Sequence, residues 1–563
     1  MDAITDPPVA INKISYFEKV KQFSGNHALL IFSLVTLALA VIYINPFNET
    51  AISDDWAYIW TSNHLVRSGQ YILHPWASAN IMFQAYWGAL FALVGGLSIG
   101  TLHLSTIALA VIGLISLYLL ALEHNLTRPI AGLLCLCLVA NPIFLFLVPT
   151  FMTDVPALAL QLLALLLYTR GIKKHNNIYM AAGGAATVAG FFIRPTGLAL
   201  LLGLAAIIWL DKERIKNWKL YTAGVIIPLA GLVFLIFGNT GSNFNGSLNS
   251  GSPNGAGQIK FMTQLDTFLP AILLWRPGIY LNYLGLFCMP LAIASLVGLI
   301  TGKSRPFNLK AFLFFTALII GALVYQAVGL KADWYFPYMG FNLDFLRVLP
   351  QLGQLATILA VPGGIIIGAL TWERVGSWKR WQSLPLDQRF LDTTTVFLSV
   401  YFILFFNLGD RYLLTLAPFA LIVLGRHLQP RLKGLTRYII VFSLLLVALT
   451  AIITRFDQAE QAAEWKASDY ALTLGSEPLK IMGPWGWYSS YNFDDYLKTN
   501  PDLTNVQYMF DNWRPLRQKE SEYQINFYLE PLAGEGWQVV KTFPFSDGFF
   551  QEQVVYLLRK PDS

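Results

Sequence analysis

The chain has 563 residues; 55% of them are hydrophobic and 13% are charged. Soluble domains carry about 25% charged residues, so the composition excludes an ordinary soluble protein. The formal net charge of +6 comes from Lys and Arg scattered through short loops, which excludes the concentrated basic surface of a nucleic-acid-binding protein. The three cysteines, Cys135, Cys137 and Cys288, lie in apolar runs, so neither a disulfide framework nor a zinc site is indicated.

Long apolar runs recur between residues 27 and 453 and predict a polytopic, all-α membrane domain. A polar N-terminal segment, residues 1–26, precedes it and is expected in the cytoplasm. The first span is predicted at residues 27–45, and a polar loop at residues 46–100 follows. Further spans are predicted at 101–121, 129–148, 155–170, 178–193, 197–210, 220–238, 277–300, 309–330, 352–371, 390–407, 412–428 and 437–453. With the first span, the domain therefore has about thirteen.

The apolar stretch Ile81–Leu97 inside the first loop is either one more span or a helix lying at the membrane interface. If it is interfacial, the cytoplasmic segments hold roughly three times as many Lys and Arg as the opposite short loops, as the positive-inside rule predicts. A full span would instead turn the basic segments 211–219 and 372–389 outward. We therefore expect an interfacial helix.

This sidedness brings polar residues from distant parts of the chain to one face. The residues predicted on the non-cytoplasmic face are Asp54, Asp55, Asp154, Arg194, Arg347, Asp410 and Arg411. Residues 454–563 follow on the same side and predict a small α/β domain. In that domain a helix is expected at 457–474, strands at 479–482, 506–509, 537–543 and 553–558, and turns at 483–486 and 546–548.

Three acids on this face are candidates for chemistry. Asp54 and Asp55 each have two interpretations, which can hold together: one acid caps a helix that begins at Trp56, and the other acts as a general base. Asp154 opens an apolar span, where it or Thr153 can serve as a cap. An acid at the edge of a span is also a functional candidate.

Arg411 and Tyr412 are candidates for holding a phosphate group. An Arg at a membrane edge can simply extend to lipid headgroups, or its planar guanidinium can clamp a phosphate. The other cations expected on this face compete for the same role; they are Arg67, Arg194, Lys260, Arg276, Lys331 and Arg347.

The order of these motifs resembles the GT-C class of integral-membrane glycosyltransferases, closest to the protein O-mannosyltransferase and lipid A aminoarabinose transferase type. The resemblance lies in the acidic pair with its following aromatics, an interfacial helix, an Asn-Pro, a Thr-Asp opening the next span, and a late Arg-Tyr-Leu-Leu with a Pro. These motifs fall on Asp54-Asp55 with Trp56 and Tyr58, residues 76–97, Asn141-Pro142, Thr153-Asp154-Val155-Pro156, and Arg411-Tyr412-Leu413-Leu414 with Pro418. The second acid of the family pair is usually Glu, whereas here it is Asp55.

The resemblance implies an inverting glycosyltransferase that uses a polyprenyl-phosphate sugar at the outer membrane surface, most typically of a bacterial plasma membrane. The acceptor would be a glycan, a lipid or a protein, and membrane lipid would surround the spans. Asp54, Asp55 and Asp154 would be the catalytic acids, with Asp54 as the base. The donor phosphate would lie among Arg411, Tyr412, Arg347 and Arg194. Some members of the class use a divalent cation, which the same three acids would hold here.

Two other functions remain open from the residues. A transporter or carrier of lipid-linked sugars would perform no chemistry, but it would be expected to show internal repeats and polar residues at mid-membrane, and neither is found. A catalytically inactive binding scaffold is the third interpretation, and the presence of all three acids argues against it.

Overall fold

A computed structural model describes residues 27–77, 79–210, 219–237, 275–302, 308–327, 350–404, 410–499, 521–526, 536–546 and 552–561. Of the sequence predictions, the N-terminal segment, Lys260, Lys331, Arg347, the side chain of Asp410 and the strand at 506–509 lie outside the described residues.

The described part of the chain is mainly helical and ends in a small sheet, which confirms the predicted fold class. The first ten helices are α1 (Ala28–Ile44), α2 (Asp55–Ser68), α3 (Met82–Gly95), α4 (Ile99–Glu123), α5 (Arg128–Val139), α6 (Pro142–Leu147), α7 (Asp154–Lys174), α8 (Asn177–Phe191), α9 (Leu198–Leu210) and α10 (Lys219–Phe237). The others are α11 (Arg276–Phe287), α12 (Met289–Ile300), α13 (Leu309–Ala327), α14 (Pro350–Val375), α15 (Trp378–Gln382), α16 (Leu386–Leu404), α17 (Ala417–Leu428), α18 (Thr436–Thr473) and α19 (Trp485–Thr499).

Several helices identify an integral membrane protein. Within the described ranges, five helical segments are long and apolar enough to cross a membrane, and the bent pair α11–α12 makes up to six. The five lie at α4, α7, residues 355–375, residues 411–428 and α18. Shorter apolar helices, among them α1, α5 and α13, surround them. The expected number of about thirteen spans stays a prediction.

Two predicted spans are broken, and proline is part of the reason in both. The span expected at 277–300 consists of α11 and α12, which meet at Cys288 with a bend of 90°. Pro290 lies in the first turn of α12, where its missing N–H is tolerated, whereas in a continuous helix it would remove a hydrogen bond. The span expected at 129–148 is divided at Asn141-Pro142. The Asn141 side chain caps α6 by accepting the backbone N–H groups of Ile143 and Phe144 at 2.9 and 3.1 Å.

Helix α3 is the stretch predicted to lie at the interface. It has 14 residues, about 21 Å, which is shorter than the hydrocarbon core of a bilayer. One side of α3 packs inward through Gln84, Ala85 and Gly88. The opposite side exposes a stripe of apolar residues: Tyr86, Leu90, Leu93 and Val94. The orientation of α3 relative to the bilayer remains a prediction.

The last apolar helix continues without a break into the polar C-terminal region. Helix α18 has 38 residues, about 57 Å, so it extends well beyond a membrane span. Its second half buries Ala463, Ala467 and Ala471, which recur every four residues and therefore share one face. That face packs on the sheet, so α18 joins the membrane region rigidly to the C-terminal domain.

The sheet has four described strands: β1 (Ile481–Met482), β2 (Tyr523–Asn526), β3 (Gln538–Phe545) and β4 (Gln553–Arg559). Their order is β1-β2-β4-β3; β1 and β2 are parallel and the other pairs are antiparallel. The predicted elements of this domain did not include β2 or α19. Helix α19 begins at Trp485, inside the turn expected at 483–486, so residues 485 and 486 are helical instead. Phe493 of α19 packs against Trp56 of α2, and this contact places the C-terminal domain beside the first loop.

Candidate active site

The first loop turns sharply before the acidic pair. Ser53 has a φ of 58°, in the left-handed region that costs a non-glycine residue about 1–3 kcal/mol. Asp54 follows at the N-cap position of α2, but its side chain makes no capping hydrogen bond. Asp54 Oδ1 instead accepts the indole N–H of Trp76 at 3.0 Å, and Oδ2 lies 3.7 Å from Nη2 of Arg411. The structure thus favours a functional interpretation of Asp54 over a capping one.

Asp55 lies in a different environment from its neighbour. Its fully buried carboxyl accepts the backbone N–H groups of Ile52 at 2.6 Å and Phe151 at 3.3 Å. Nε2 of His103 is 3.5 Å from Oδ2, and Nδ1 of the same ring is 2.9 Å from the carbonyl oxygen of Pro46. Burial raises the pKa of Asp55, while His103 and the two backbone donors act in the opposite direction.

This buried arrangement, which we call the Asp55 clamp (Asp55, His103 and their backbone partners), ties the first loop to the connection between α6 and α7. Phe151, which donates to Asp55, lies three residues before Asp154. Gln84 of α3 holds the same connection by donating to the carbonyl oxygen of Phe151 at 2.8 Å. The clamp therefore determines how closely Asp54 and Asp154 can approach.

Asp154 is the first residue of α7, and Thr153 is its N-cap residue without a side-chain capping bond. Thr153 Oγ1 accepts Nε–H of Arg194 at 2.6 Å, and Asp154 Oδ1 lies 3.1 Å from Nη2 of the same Arg. Asp154 Oδ2 lies 3.8 Å from Nε of Arg411. Because both side chains face guanidinium groups, capping does not explain the Thr-Asp pair.

The two arginines approach from separate loops. Arg194 precedes a short 3-10 turn, Pro195–Gly197, and its extended backbone is the conformation that a following proline favours. Arg411 lies in the 3-10 helix Asp410–Leu416 that leads into α17. The ring of Tyr412 lies beneath Arg194, with the guanidinium carbon 4.2 Å from its centroid, a distance typical of a cation–π contact.

The structure thus brings together five of the predicted site residues: Asp54, Asp154, Arg194, Arg411 and Tyr412. The three acids differ greatly in exposure. The side chain of Asp54 is 31% exposed, whereas that of Asp154 is 1% and that of Asp55 is 0% exposed.

The competing cations lie elsewhere or outside the described residues. Arg67 is exposed near the end of α2. Arg276 is buried and donates to the carbonyl oxygen of Ile403 at 2.6 Å. Sequence reasoning missed the contact of Trp76 with Asp54, since the two residues are 22 positions apart and share no recognisable spacing motif.

The donor set does not resemble a metal centre. Asp54 and Asp154 face the guanidinium group of Arg411 from two sides. Within the part of the chain that the structure describes, no three His, Cys, Asp or Glu side chains come together. Asp55, the third acid, is engaged in its clamp. We therefore assign no chemical step to a metal ion.

Comparison with solved structures finds similar overall arrangements. The crystal structure of ArnT from Cupriavidus metallidurans in the apo state has a TM-score of 0.42 and 14% identity, covering 94% of this chain and 97% of that chain. The same protein bound to undecaprenyl phosphate gives 0.44 and 12%, covering 93% and 98%. The archaeal oligosaccharyltransferase AglB from Archaeoglobus fulgidus, in complex with an inhibitory peptide and a dolichol-phosphate, gives 0.44 and 15%, covering 91% of this chain and 70% of that chain.

The matches to ArnT and to an oligosaccharyltransferase agree with the resemblance that the motifs predict. No protein-family model matches the sequence. No curated protein matches it significantly. Because the TM-scores lie below 0.5, we infer the function from the residues of the site.

Proposed function

We propose that the chain is an inverting glycosyltransferase that moves a sugar from a polyprenyl-phosphate donor to an acceptor hydroxyl group. One observation carries the proposal: Asp54 and Asp154, from distant parts of the sequence, lie against one guanidinium group, and Asp54 is the partly exposed acid of the two. A general base has to touch the acceptor, and exposure makes Asp54 the acid able to do so.

The reaction follows from this arrangement. The acceptor oxygen attacks the anomeric carbon and gives its proton to the Asp54 carboxylate. The bond from the anomeric carbon to the phosphate oxygen breaks, and the electron pair leaves with the polyprenyl phosphate. Negative charge grows on that phosphate in the transition state, so a cation placed beside it lowers the barrier.

Arg411 is better suited than Arg194 to receive this charge. The contacts of Arg194 with Thr153 and Asp154, at 2.6 and 3.1 Å, are at hydrogen-bond distance. The side chain of Arg411 is 22% exposed, against 9% for that of Arg194, and it lies between Asp54 and Asp154 at 3.7 and 3.8 Å. Arg194 therefore holds the buried Thr153-Asp154 pair, while Arg411 is the guanidinium that a donor phosphate can reach. Tyr412 supports Arg194 from below.

Two of the predicted residues take other places in this scheme. Asp55 acts as a positioning residue through its clamp and not as a base. Arg347 remains a further candidate for the donor phosphate. We place the site and the C-terminal domain on the extracytoplasmic face of the membrane, on the strength of the Lys and Arg distribution. The family resemblance adds the bacterial plasma membrane as the location.

The test measures sugar transfer in membranes that contain the chain. The donors are a set of undecaprenyl-phosphate-linked sugars, and the reaction is monitored by the release of undecaprenyl phosphate. Asp54→Asn should lower the rate at least about 100-fold, the usual contribution of a general base. Asp495→Asn is the matched control, because this acid lies on the exposed surface of α19 and pairs with Lys498. Undiminished release by Asp54→Asn would exclude the proposed base. A carrier without chemistry would move the donor and release no undecaprenyl phosphate.

A further inference from the structure

Trp76 donates a direct hydrogen bond to Asp54. The family resemblance assigns no role to Trp76. The indole Nε1–H donates to Asp54 Oδ1 at 3.0 Å, while Arg411 lies 3.7 Å from Oδ2. The carboxylate is therefore held at both oxygens, by a neutral donor on one side and by a cation on the other.

The ring of Trp76 is fixed by aromatic contacts from two parts of the molecule. Trp56 of α2 stacks on it, with a centroid distance of 6.4 Å and an interplanar angle of 29°. Two residues of α19 make edge contacts: Trp485 at 5.4 Å and Phe493 at 6.1 Å. Because α19 belongs to the C-terminal domain, the orientation of the Trp76 ring depends on how that domain docks.

The backbone of Trp76 is held by His74. Its N–H donates to His74 Nδ1 at 3.1 Å, so this nitrogen has to be unprotonated. Burial lowers the pKa of His74 to about 3 and keeps the ring neutral at ordinary pH. Trp56, Trp60 and Phe493 pack around the imidazole with centroid distances of 4.7 to 5.0 Å.

We propose that Trp76 is a positioning residue that orients Asp54 for proton transfer, and that helix α19 of the C-terminal domain acts on Asp54 through it. The inference rests on the proposed function, since it takes Asp54 as the base. The indole N–H stabilises the ionised carboxylate and fixes Oδ1, so Oδ2 is the oxygen that faces the acceptor once the donor phosphate replaces it beside Arg411. Docking of α19 then sets the direction of that N–H.

Trp76→Phe removes the N–H and keeps an aromatic ring in the cluster. We expect kcat with undecaprenyl-phosphate-linked sugar to fall about 10-fold or more, with the donor KM within about twofold. Arg411 and, beyond it, Asp154 are the charged groups that face Asp54, and this variant leaves both in place.

The control is Trp60→Phe, which changes a ring of the same cluster that packs on His64 and His74. It should leave kcat and the donor KM within about twofold of the parent values. A Trp76→Phe enzyme with unchanged kcat would overturn the inference. If that variant does not fold, Trp485→Leu is the deciding test, since it keeps the indole N–H of Trp76 but removes the support of that ring by α19. We expect a smaller fall in kcat than in Trp76→Phe. An unchanged kcat would refute the role of α19.

Asp54→Asn in the same preparation separates this inference from the proposed function. If Asp54→Asn is inactive and Trp76→Phe behaves like the parent chain, only the role of Trp76 fails. If Asp54→Asn keeps its activity, the proposed function fails, and the inference fails with it.

Discussion

The pair formed by Asp154 and Arg194 allows a quantitative test of the charge network. The side chains are 1% and 9% exposed and their charged groups are 3.1 Å apart. Removing one member of a buried pair costs about 3–5 kcal/mol, because the remaining charge stays buried without its partner. In Asp154→Asn the hydroxyl of Thr153 still contacts Arg194, so we expect the lower end, about 3 kcal/mol.

A double variant distinguishes electrostatics from packing. Asp154→Leu with Arg194→Met removes both charges, and replacing a buried ion pair by apolar side chains of similar size is often neutral for stability. The double variant should therefore be more stable than Asp154→Asn alone, although it should be inactive, because it lacks both Asp154 and Arg194.

The assay is thermal unfolding in detergent, followed by fluorescence in the absence of donor. A loss of about 3 kcal/mol should lower the midpoint by several degrees in Asp154→Asn, and the double variant should recover most of that loss. Equal midpoints for the single and double variants would refute the reasoning, since they would show that the buried Arg194 charge is not what makes the loss of Asp154 costly.

Two further predictions concern the structure around the site. Asp55→Asn presents an amide N–H₂ in place of one acceptor oxygen, so the backbone N–H of Ile52 or Phe151 loses its partner. We expect the free energy of unfolding to fall by about 1–3 kcal/mol. An unchanged unfolding midpoint would contradict the role of the Asp55 clamp. Burial favours the neutral form of His74. The stability that the buried neutral ring contributes is fully present above the pKa of His74 in the unfolded chain, about 6.5, and is lost as the pH falls from there towards 3. The unfolding midpoint of the parent chain should decline over this window, offset in part by Asp494 at 3.9 Å, and His74→Phe should show a shallower decline.

Much of the site was predictable because it depends on which ends of the helices share a face. Placing Asp54, Asp154, Arg194 and Arg411 together needed only the span pattern and the distribution of Lys and Arg. The distinction between Asp54 and Asp55 could not be predicted in this way. Adjacent residues at the start of a helix point about 100° apart, so the local backbone at Ser53 and the approach of Phe151 decide which carboxylate faces Arg411.

The fold was predictable from the sequence to about the same extent as the site. Most of the predicted spans in the described ranges coincide with helices, because apolar runs of that length form helices in a bilayer. The exceptions are the broken spans at 129–148 and 277–300 and the span at 412–428, which begins as a 3-10 helix. The bend at Cys288 and the continuity of α18 were not predictable from hydropathy, since both depend on what the helices pack against. The contacts of Trp76 with Asp54 and with α19 are also tertiary, and they join segments that no spacing motif relates.

The balance of charge in the site links the arrival of the donor to the readiness of the base. Asp54 and Asp154 carry two negative charges, and Arg194 and Arg411 carry two positive ones, so these four side chains are neutral as a group. A donor phosphate adds negative charge, which a guanidinium already beside these carboxylates can offset. Because the side chain of Arg411 is 22% exposed, whereas that of Arg194 is 9% exposed and donates to Thr153, Arg411 is the guanidinium that can exchange Asp54 for the phosphate. Asp54 then keeps the Trp76 hydrogen bond at Oδ1, and Oδ2 loses its cation at the moment when a proton acceptor is needed.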